Sequence, residues 1–535
     1  MKRTHRKLMG MGFYITALFV LLAGIDPVPP MAGLNPSPGG IDPDSYPGIG
    51  DEELGQLRWA IKIADQPIPD FTNLEASNQY GMSAYRYTLA FMTYFLAAEQ
   101  YHKLPACPGI IQTRMDRVIQ KILEKPVWEY WAEVSRGIPY FEPRMNKPYP
   151  EEHDPVGHRN IMYSGHLGHI IALYEMLYRD LKWSKPGAIV FTWKNDEKYV
   201  YDNNSLQRVM YDQMMNNPDH CIECEPNACF PECNQHPILS FMLYDHVHGT
   251  NLSKAQEAFL DFFVKNKMID PETHHAASFY LVKQKKTLAQ NSPGCGNMLS
   301  VAAVPAVSTG AVNINSSSAD GWTGIFMHAW QPEYIERHYP FQLKDHLIEI
   351  NDETARLKKD RFEPRLQYGL FAMFASEMGD TVTRDKLLAF AKEKYDPVWE
   401  SGTFHYPFDM KKQCSNLTDK VLAIARANPK NGMWTLHNRP FDGPHFEAPM
   451  VEGVDFPKIV LRRAIYDKQR EALVLTTEPG TDQRGTTTLK VIALDPDRSW
   501  RLLVDGREVE KYKGLRTVSI NVALDKRHNI VLVAE

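Results

Sequence analysis

From residue 51 onward the apolar positions recur every three to four residues, in one block after another. The spacing predicts helices over 51–65, 82–102, 108–124, 158–180, 203–216, 236–248, 253–266, 322–338, 366–378, 382–394 and 416–428, separated by loops of Pro, Gly and Asn. The blocks 82–98 and 160–177 are apolar on nearly every face, as a helix surrounded by other helices must be. In the second block Met162, His166, His169 and Leu173 share a face. Gly165, Gly168 and Ala172 form another, small enough for close approach of a second helix, and Tyr163, Leu167, Ile170 and Tyr174 form a third. About a dozen helical blocks with few strand-like runs between them predict an all-α toroid of helical hairpins over 51–450, apolar helices inside and amphipathic ones outside.

Near Lys458 the period changes to alternation. Short β runs are expected at 458–465, 472–477, 487–494, 501–504, 517–522 and 529–533, with Asp505-Gly506 as a hairpin turn, so 455–535 reads as a small β-sandwich. At the other end, Met1 to Lys7 is basic and Leu8 to Ile25 carries no charge. Residues 1–27 therefore read as a cleaved signal peptide or an uncleaved membrane anchor, and either would export the body. Residues 28–50, rich in Pro and Gly, read as a linker. Sequons at Asn203, Asn251, Asn315 and Asn416 are about as many as chance supplies in such a chain.

With 535 residues, 43% of them hydrophobic, the chain can bury a large core. A net charge of -5 with Lys and Arg dispersed along the chain leaves no basic stripe, which sets nucleic acid aside. Of seven cysteines, four crowd one proline-broken loop as Cys221, Cys224, Cys229 and Cys233, and the others are Cys107, Cys295 and Cys414. Three readings of that loop stay open: disulfides, as in exported chains; a zinc site completed by His236; or free thiols. His166 alone would read as a core histidine, although an imidazole can also orient or exchange a proton with a hydroxyl.

Four short motifs follow in order: Ile161-Met-Tyr-x-Gly-His-Leu167, Cys224-Glu-Pro-Asn-x-x-Phe-x-x-Cys233-Asn234, Tyr244-Asp-x-x-His-Gly-Thr250 and Phe279-Tyr-Leu281. In this order and spacing the chain resembles the linalool dehydratase/isomerase family, with weaker similarity from about Tyr85 to Asp380. The resemblance implies an (α/α)6 barrel, a cofactor-independent dehydratase or isomerase, and a hydrophobic, terpenoid-type alcohol or alkene as substrate. It implies catalytic roles for His166 and for Cys224 and Cys233 as free thiols facing a cavity, with Tyr87 and Met162 as walls. The family also donates an Asp and a Tyr across a subunit interface, which implies a homo-oligomer; here Asp65 is a stand-in for the Asp and Tyr80 a remote one for the Tyr. A further family Tyr falls near Ser318, so the walls differ. The chemistry suits these groups: a thiol near pKa 8.5 is protonated at neutral pH and can protonate a leaving hydroxyl, and its thiolate can take a proton back. Two rival readings are a carbohydrate-active toroid using carboxylates such as Asp154 and Glu363, and an exported toroid that binds a hydrophobic ligand without catalysis.

Overall fold

The computed structural model describes residues 40–76, 83–137, 147–194, 196–289, 316–358, 369–412 and 414–535. The 1–27 segment, most of the 28–50 linker, Tyr80, Cys295, Asn315 and Glu363 lie outside the described residues. The helices longer than eight residues are α1 (Asp51–Ala64), α2 (Tyr85–His102), α3 (Gly109–Ile122), α4 (Ile161–Tyr178), α5 (Asn203–Asn216), α6 (Gln235–His248), α7 (Ala255–Lys265), α8 (Ser317–His328), α9 (Pro332–His346), α10 (Gly369–Glu377), α11 (Thr381–Tyr395) and α12 (Asn416–Ala427). Sequence periodicity places eleven helical blocks, and one needs correction. The block 322–338 is two helices, α8 and α9, because Pro332 opens a new helix at its first turn after a break at Ala329 to Gln331.

The apolar helices pack on one another in the order α2, α4, α6, α8, α10, α12, and α12 returns to α2. Every residue of α10 is buried, and all of α4 but its last. The remaining helices are amphipathic: α3 buries Ile110, Ile111, Met115, Val118, Ile119 and Ile122, leaves Arg114, Asp116 and Arg117 partly exposed, and buries Lys121 with its amine bonded to the Pro67, Ile68 and Asp70 carbonyls. Glycine sets two of the close approaches in the inner series. The small-residue face of α4 meets α6, where a Cβ on Gly165 would stand 3.2 Å from Pro237 Cδ and one on Gly168 3.1 Å from Ser240 Oγ. On α8 a Cβ at Gly321 would lie 2.6 Å from the Leu370 backbone. At one end Glu377, buried at the end of α10, accepts from His328 Nδ1 (2.8 Å), Asn428 Nδ2 (2.8 Å) and the Met433 and Trp434 amides (2.8 and 3.1 Å). That carboxylate ties α8, α10 and the short helix Gly432–Asn438 together, and its donors offset the cost of its burial.

The C-terminal region holds strands β1 (Met450–Glu452), β2 (Ile459–Asp467), β3 (Ala472–Pro479), β4 (Thr486–Ile492), β5 (Ser499–Val504), β6 (Arg507–Lys513), β7 (Val518–Ala523) and β8 (His528–Ala534). They form two antiparallel sheets, ordered β1-β4-β7 and β2-β3-β8-β5-β6. Asp505 and Gly506 both take positive φ between β5 and β6, as a tight hairpin requires. Strands β1 and β6 escape the sequence reading: β1 is three residues long, and β6 is an edge strand exposed on both faces except at Tyr512, so it shows no alternation. Backbone bonds from Ala106 to Ala464 (2.9 Å) and from Val451 to Ala106 (2.7 Å) join the sheets to the turn after α2. Two sequons are structural: Asn203 and Asn416 are buried with their amides bonded to Glu175 and Glu75, so neither can carry a glycan in the fold. Among the described residues no helix is long and apolar enough to cross a membrane.

Gly321→Ala forces α8 from α10 and should lower stability by about 1–3 kcal/mol in urea melts, the usual cost of overpacking. Gly109→Ala, at an exposed position where an added Cβ meets nothing within 4 Å, should be neutral or slightly stabilising in the same experiment.

Candidate acid–base site

The Cys224 loop folds around a turn that its sequence demands. Pro226 and Asn227 are the central residues, Asn227 takes φ +72°, and the Ala228 amide donates to Glu225 O at 2.9 Å. Asn227 also anchors the neighbouring hairpin: its Oδ1 accepts the Lys283 amide at 2.8 Å and its Nδ2 donates to Gln284 at 2.9 Å. Ala228 and Cys229 then pair with Leu281 and Tyr280, so two of the four motifs meet as one small sheet. Asn234 clamps the loop from the other side, exchanging bonds with the Ile222 backbone at 2.8 and 3.0 Å.

Cys107, Cys221, Cys224, Cys229, Cys233 and Cys414 are buried free thiols. Within the loop they fall into two hydrogen-bonded pairs, Cys224 with Cys233 and Cys221 with Cys229. The zinc reading of the cluster is not assembled. His236 turns away, its ring 3.9 Å from that of His166, and its Nε2 accepts from Trp322 Nε1 at 3.0 Å. Burial, and then the bond to Cys233, push the Cys224 thiol well above its ordinary pKa. For Cys233 the bond from Cys224 pulls the pKa down, but desolvation with Glu232 and Glu225 outweighs it and leaves it raised; Arg86 pulls the same thiol down.

Tyr87 and Arg86 join this pair to α4. The Tyr87 hydroxyl donates to Met162 Sδ at 3.5 Å, its ring stands edge-on to His166 at 5.7 Å and to Trp322 at 5.4 Å, and it lies within electrostatic reach of Cys233. The Arg86 guanidinium is buried between the rings of Tyr87 (4.4 Å) and Tyr130 (4.0 Å) and reaches Met162 Sδ at 3.6 Å. Desolvation works against that charge, yet the two phenols outweigh it, so Arg86 stays cationic.

The imidazoles form a series whose protons can be assigned from its ends. His437 Nδ1 lies 2.8 Å from Met433 O, a carbonyl that can only accept, so His437 carries its proton on Nδ1 and its Nε2 accepts. His169 Nε2, 2.8 Å away, is then the donor, which leaves His169 Nδ1 an acceptor. Trp322 can only donate, so His236 holds its proton on Nδ1, shared between His169 Nδ1 (3.3 Å) and the Tyr94 oxygen (3.2 Å). Tyr94 therefore donates to His166 Nδ1 at 2.8 Å, and His166 presents an Nε2–H. That Nε2 is buried and has no hydrogen-bond partner among the described residues. Burial, followed by the charge of Arg86, depresses His166 to about 3; burial likewise lowers His437 to about 4 and His169 and His236 well below the usual value.

The structure thus gathers Tyr87, Met162, His166 and, through Tyr87 and Arg86, the Cys224–Cys233 pair. It does not bring Asp65 to them. Asp65 caps the end of α1 on the surface, paired with Arg114 at 2.9 Å, because its helix stops at the outside of the fold. Ser318 is buried in the first turn of α8. His169, which shares a helix face with His166, is a link in the imidazole series. Tyr94, His236, Trp322, Arg86 and His437 are additions. Tyr94 follows Tyr87 and Phe91 at i, i+4, i+7, and Arg86 is a lone charge in an apolar block, so both left a signal; His437 left none. The third motif is structural: His248 bonds Glu175 at 2.8 Å, and Asp245 accepts the Leu252 and Ser253 amides at 2.7 Å each. Asp154, a carboxylate of the glycan reading, accepts the Val156 and Gly157 amides at 3.0 and 3.1 Å and the Tyr201 hydroxyl at 2.6 Å, so a turn occupies it.

Fold and site define a helix-rich protein with thiols, phenols and imidazoles buried among its apolar helices. The chain belongs to the linalool dehydratase/isomerase family, whose model matches residues 86–311 and 295–411. Among solved structures it is similar to Dfg5 of Chaetomium thermophilum in complex with glucosamine, at 10% identity over 69% of this chain and 82% of that one, TM-score 0.35. A GH76 α-mannanase of Bacteroides thetaiotaomicron matches at 11% identity over 74% of this chain and 100% of its own, TM-score 0.37. A GH127 β-L-arabinofuranosidase of Geobacillus stearothermophilus matches at 11% identity over 91% and 76% respectively, TM-score 0.30.

The imidazole series makes the protein acid-labile. A histidine held at about 3 in the fold and near 6.5 when unfolded lets the unfolded chain bind the extra proton first, so stability is lost as pH falls below about 6.5. His166 alone contributes about 1.4 kcal/mol per pH unit in that window. Urea melts at pH 7.5 and 5.5 should show the loss, and His437→Gln should flatten the slope.

Proposed function

We propose that this protein dehydrates, hydrates or isomerises a hydrophobic alcohol of terpenoid type by acid–base exchange at Cys224, Cys233 and His166. The observation that carries the reading is the buried, unpartnered Nε2–H of His166, set beside Tyr87 and Met162 and connected through them to a hydrogen-bonded thiol pair. A buried donor with no partner among the described residues, set among aromatic rings, suits a substrate hydroxyl. The closed packing order of the six apolar helices supports an (α/α)6 toroid around it. The uncharged run at 8–25 after a basic start supports export of the body.

In this reading His166 Nε2–H holds the hydroxyl oxygen and Cys233 gives it a proton. The carbon–oxygen bond breaks and water leaves with the bonding pair. The Cys233 thiolate is held by the Cys224 S–H and by Arg86, and it takes a proton from the carbon adjacent to the cationic centre, which restores the thiol and forms the alkene. The Tyr87 and Phe91 rings stand edge-on to Trp322 at 5.4 and 5.1 Å, and this aromatic cluster suits the transient positive charge. Hydration is the same steps reversed. Asp65 stands on the surface, so any role for it needs a second chain.

Cys233→Ala and Cys224→Ala should each lower kcat/KM on a tertiary allylic alcohol by about 10²- to 10⁴-fold, while Cys229→Ala should act on stability alone. Full turnover in both of the first two variants, or turnover of a glycan in place of the alcohol, would overturn the reading. The pH profile is a second check. His166 stays neutral down to about 3, so kcat/KM should show no inflection near 6.5, and the thiols, raised above their ordinary range, should keep activity level until pH exceeds about 8.5.

A further inference from the structure

A second buried cluster stands apart from the thiols. His275, in the loop after α7, places Nδ1 2.6 Å from Asp320 Oδ2, and His346, the last residue of α9, places Nε2 2.6 Å from the same oxygen. The three donor atoms lie within 4.8 Å of one another, and all three residues are buried. We propose that His275 Nδ1, Asp320 Oδ2 and His346 Nε2 form a binding site for a divalent transition-metal cation of the zinc class.

Three features favour an ion there. Two imidazoles and one carboxylate are a donor set that suits zinc and its neighbours, and here they come from three separate elements. The surroundings also orient each donor. Asp320 Oδ1 is taken by the Ala276 amide at 2.7 Å, which leaves Oδ2 to face the two rings. His275 Nε2 meets Asp345 Oδ2 at 3.3 Å, Asp345 Oδ1 is paired with Lys358 at 3.2 Å, and the Lys358 amide donates to His346 O at 2.8 Å. A carboxylate behind a ligating histidine fixes its tautomer and strengthens its lone pair. Finally, Asp320 and Asp345 bring two carboxylates to the two imidazoles, a donor environment that favours a cation. The present spacing is that of hydrogen bonds; around an ion at about 2.0–2.2 Å the donors would open by less than about 1 Å. The ion would lock the first turn of α8, two residues before Trp322.

The test is metal binding by the full chain, tag removed and stripped with chelator, titrated with Zn²⁺ and Co²⁺ and followed by elemental analysis, Co²⁺ absorption and thermal melts. The expected result is one equivalent per chain, a Co²⁺ spectrum lacking thiolate charge transfer, and a metal-dependent rise in Tm. Asp320→Asn and His346→Ala should abolish all three, and Asp345→Asn should weaken binding by about 10- to 100-fold. No binding to the wild type at micromolar metal would overturn the proposal, as would a thiolate band, or binding that survives both ligand substitutions. The wild-type titration decides even where a variant fails to fold. It is independent of any turnover, so the functional reading can fail without it.

Discussion

Burial of polar groups without water is the constraint on which the interior depends. Imidazoles, phenols and thiols inside a ring of apolar helices must find partners among themselves or cost roughly 1–3 kcal/mol each. The series from Met433 O through His437, His169, His236 and Tyr94 to His166 meets that demand, and because both of its fixed ends can play only one role, it leaves no choice of tautomer. Satisfaction of the core therefore has a chemical consequence at its far end. The unused hydrogen of the series emerges at His166 Nε2, and moving it to Nδ1 would break the bond that the Tyr94 hydroxyl donates there.

The thiol pair follows the same physics with a different balance. Desolvation raises both thiols, which keeps them protonated and able to act as acids. A buried thiolate would be expensive, except that Cys233 has a hydrogen bond from Cys224 and lies within the field of Arg86. Arg86 is itself tolerated only because the Tyr87 and Tyr130 rings sandwich it. The same residue depresses His166. One buried cation thus favours the anionic form of Cys233 and the neutral form of His166.

Much of the frame was legible in the sequence because it rests on local rules. The helix at Asn203–Asn216 matches its expected ends because Asp202 and Ser205 form a capping box that fixes where it starts. The small-residue face at Gly165 and Gly168 meets a helix because only that face allows close approach. The break at Trp330 and Gln331 was hidden because the apolar period runs through it, with Pro332 reading as an interruption when it is a beginning. Within the site, His166, Met162, Tyr87 and the thiols stood in motifs, but the closure of the series depends on His169 and His437, 268 residues apart in the chain, and on the aim of Trp322. Such pairings are products of tertiary packing, and no periodicity encodes them. The sequence also offered Asp65, whose type fits and whose place does not, since the end of α1 lies outside the ring.

Burial that defines the site also sets its weakness. Each neutral imidazole in the series gives the unfolded chain an advantage in acid, and a protein with several of them needs compensation elsewhere. Part of it is visible in how carboxylates are used. Glu377 gathers four donors at one end of the ring, and Asp320 gathers an amide and two imidazoles at another place on α8. Against desolvation, the bonds from His275 and His346 hold Asp320 below its ordinary pKa, so it strengthens the fold above the carboxylate range while the imidazoles weaken it below about 6.5. Helix α8, which carries Trp322 between these two anchors, is therefore held most firmly at neutral pH, where the tautomer series it helps to fix is also intact.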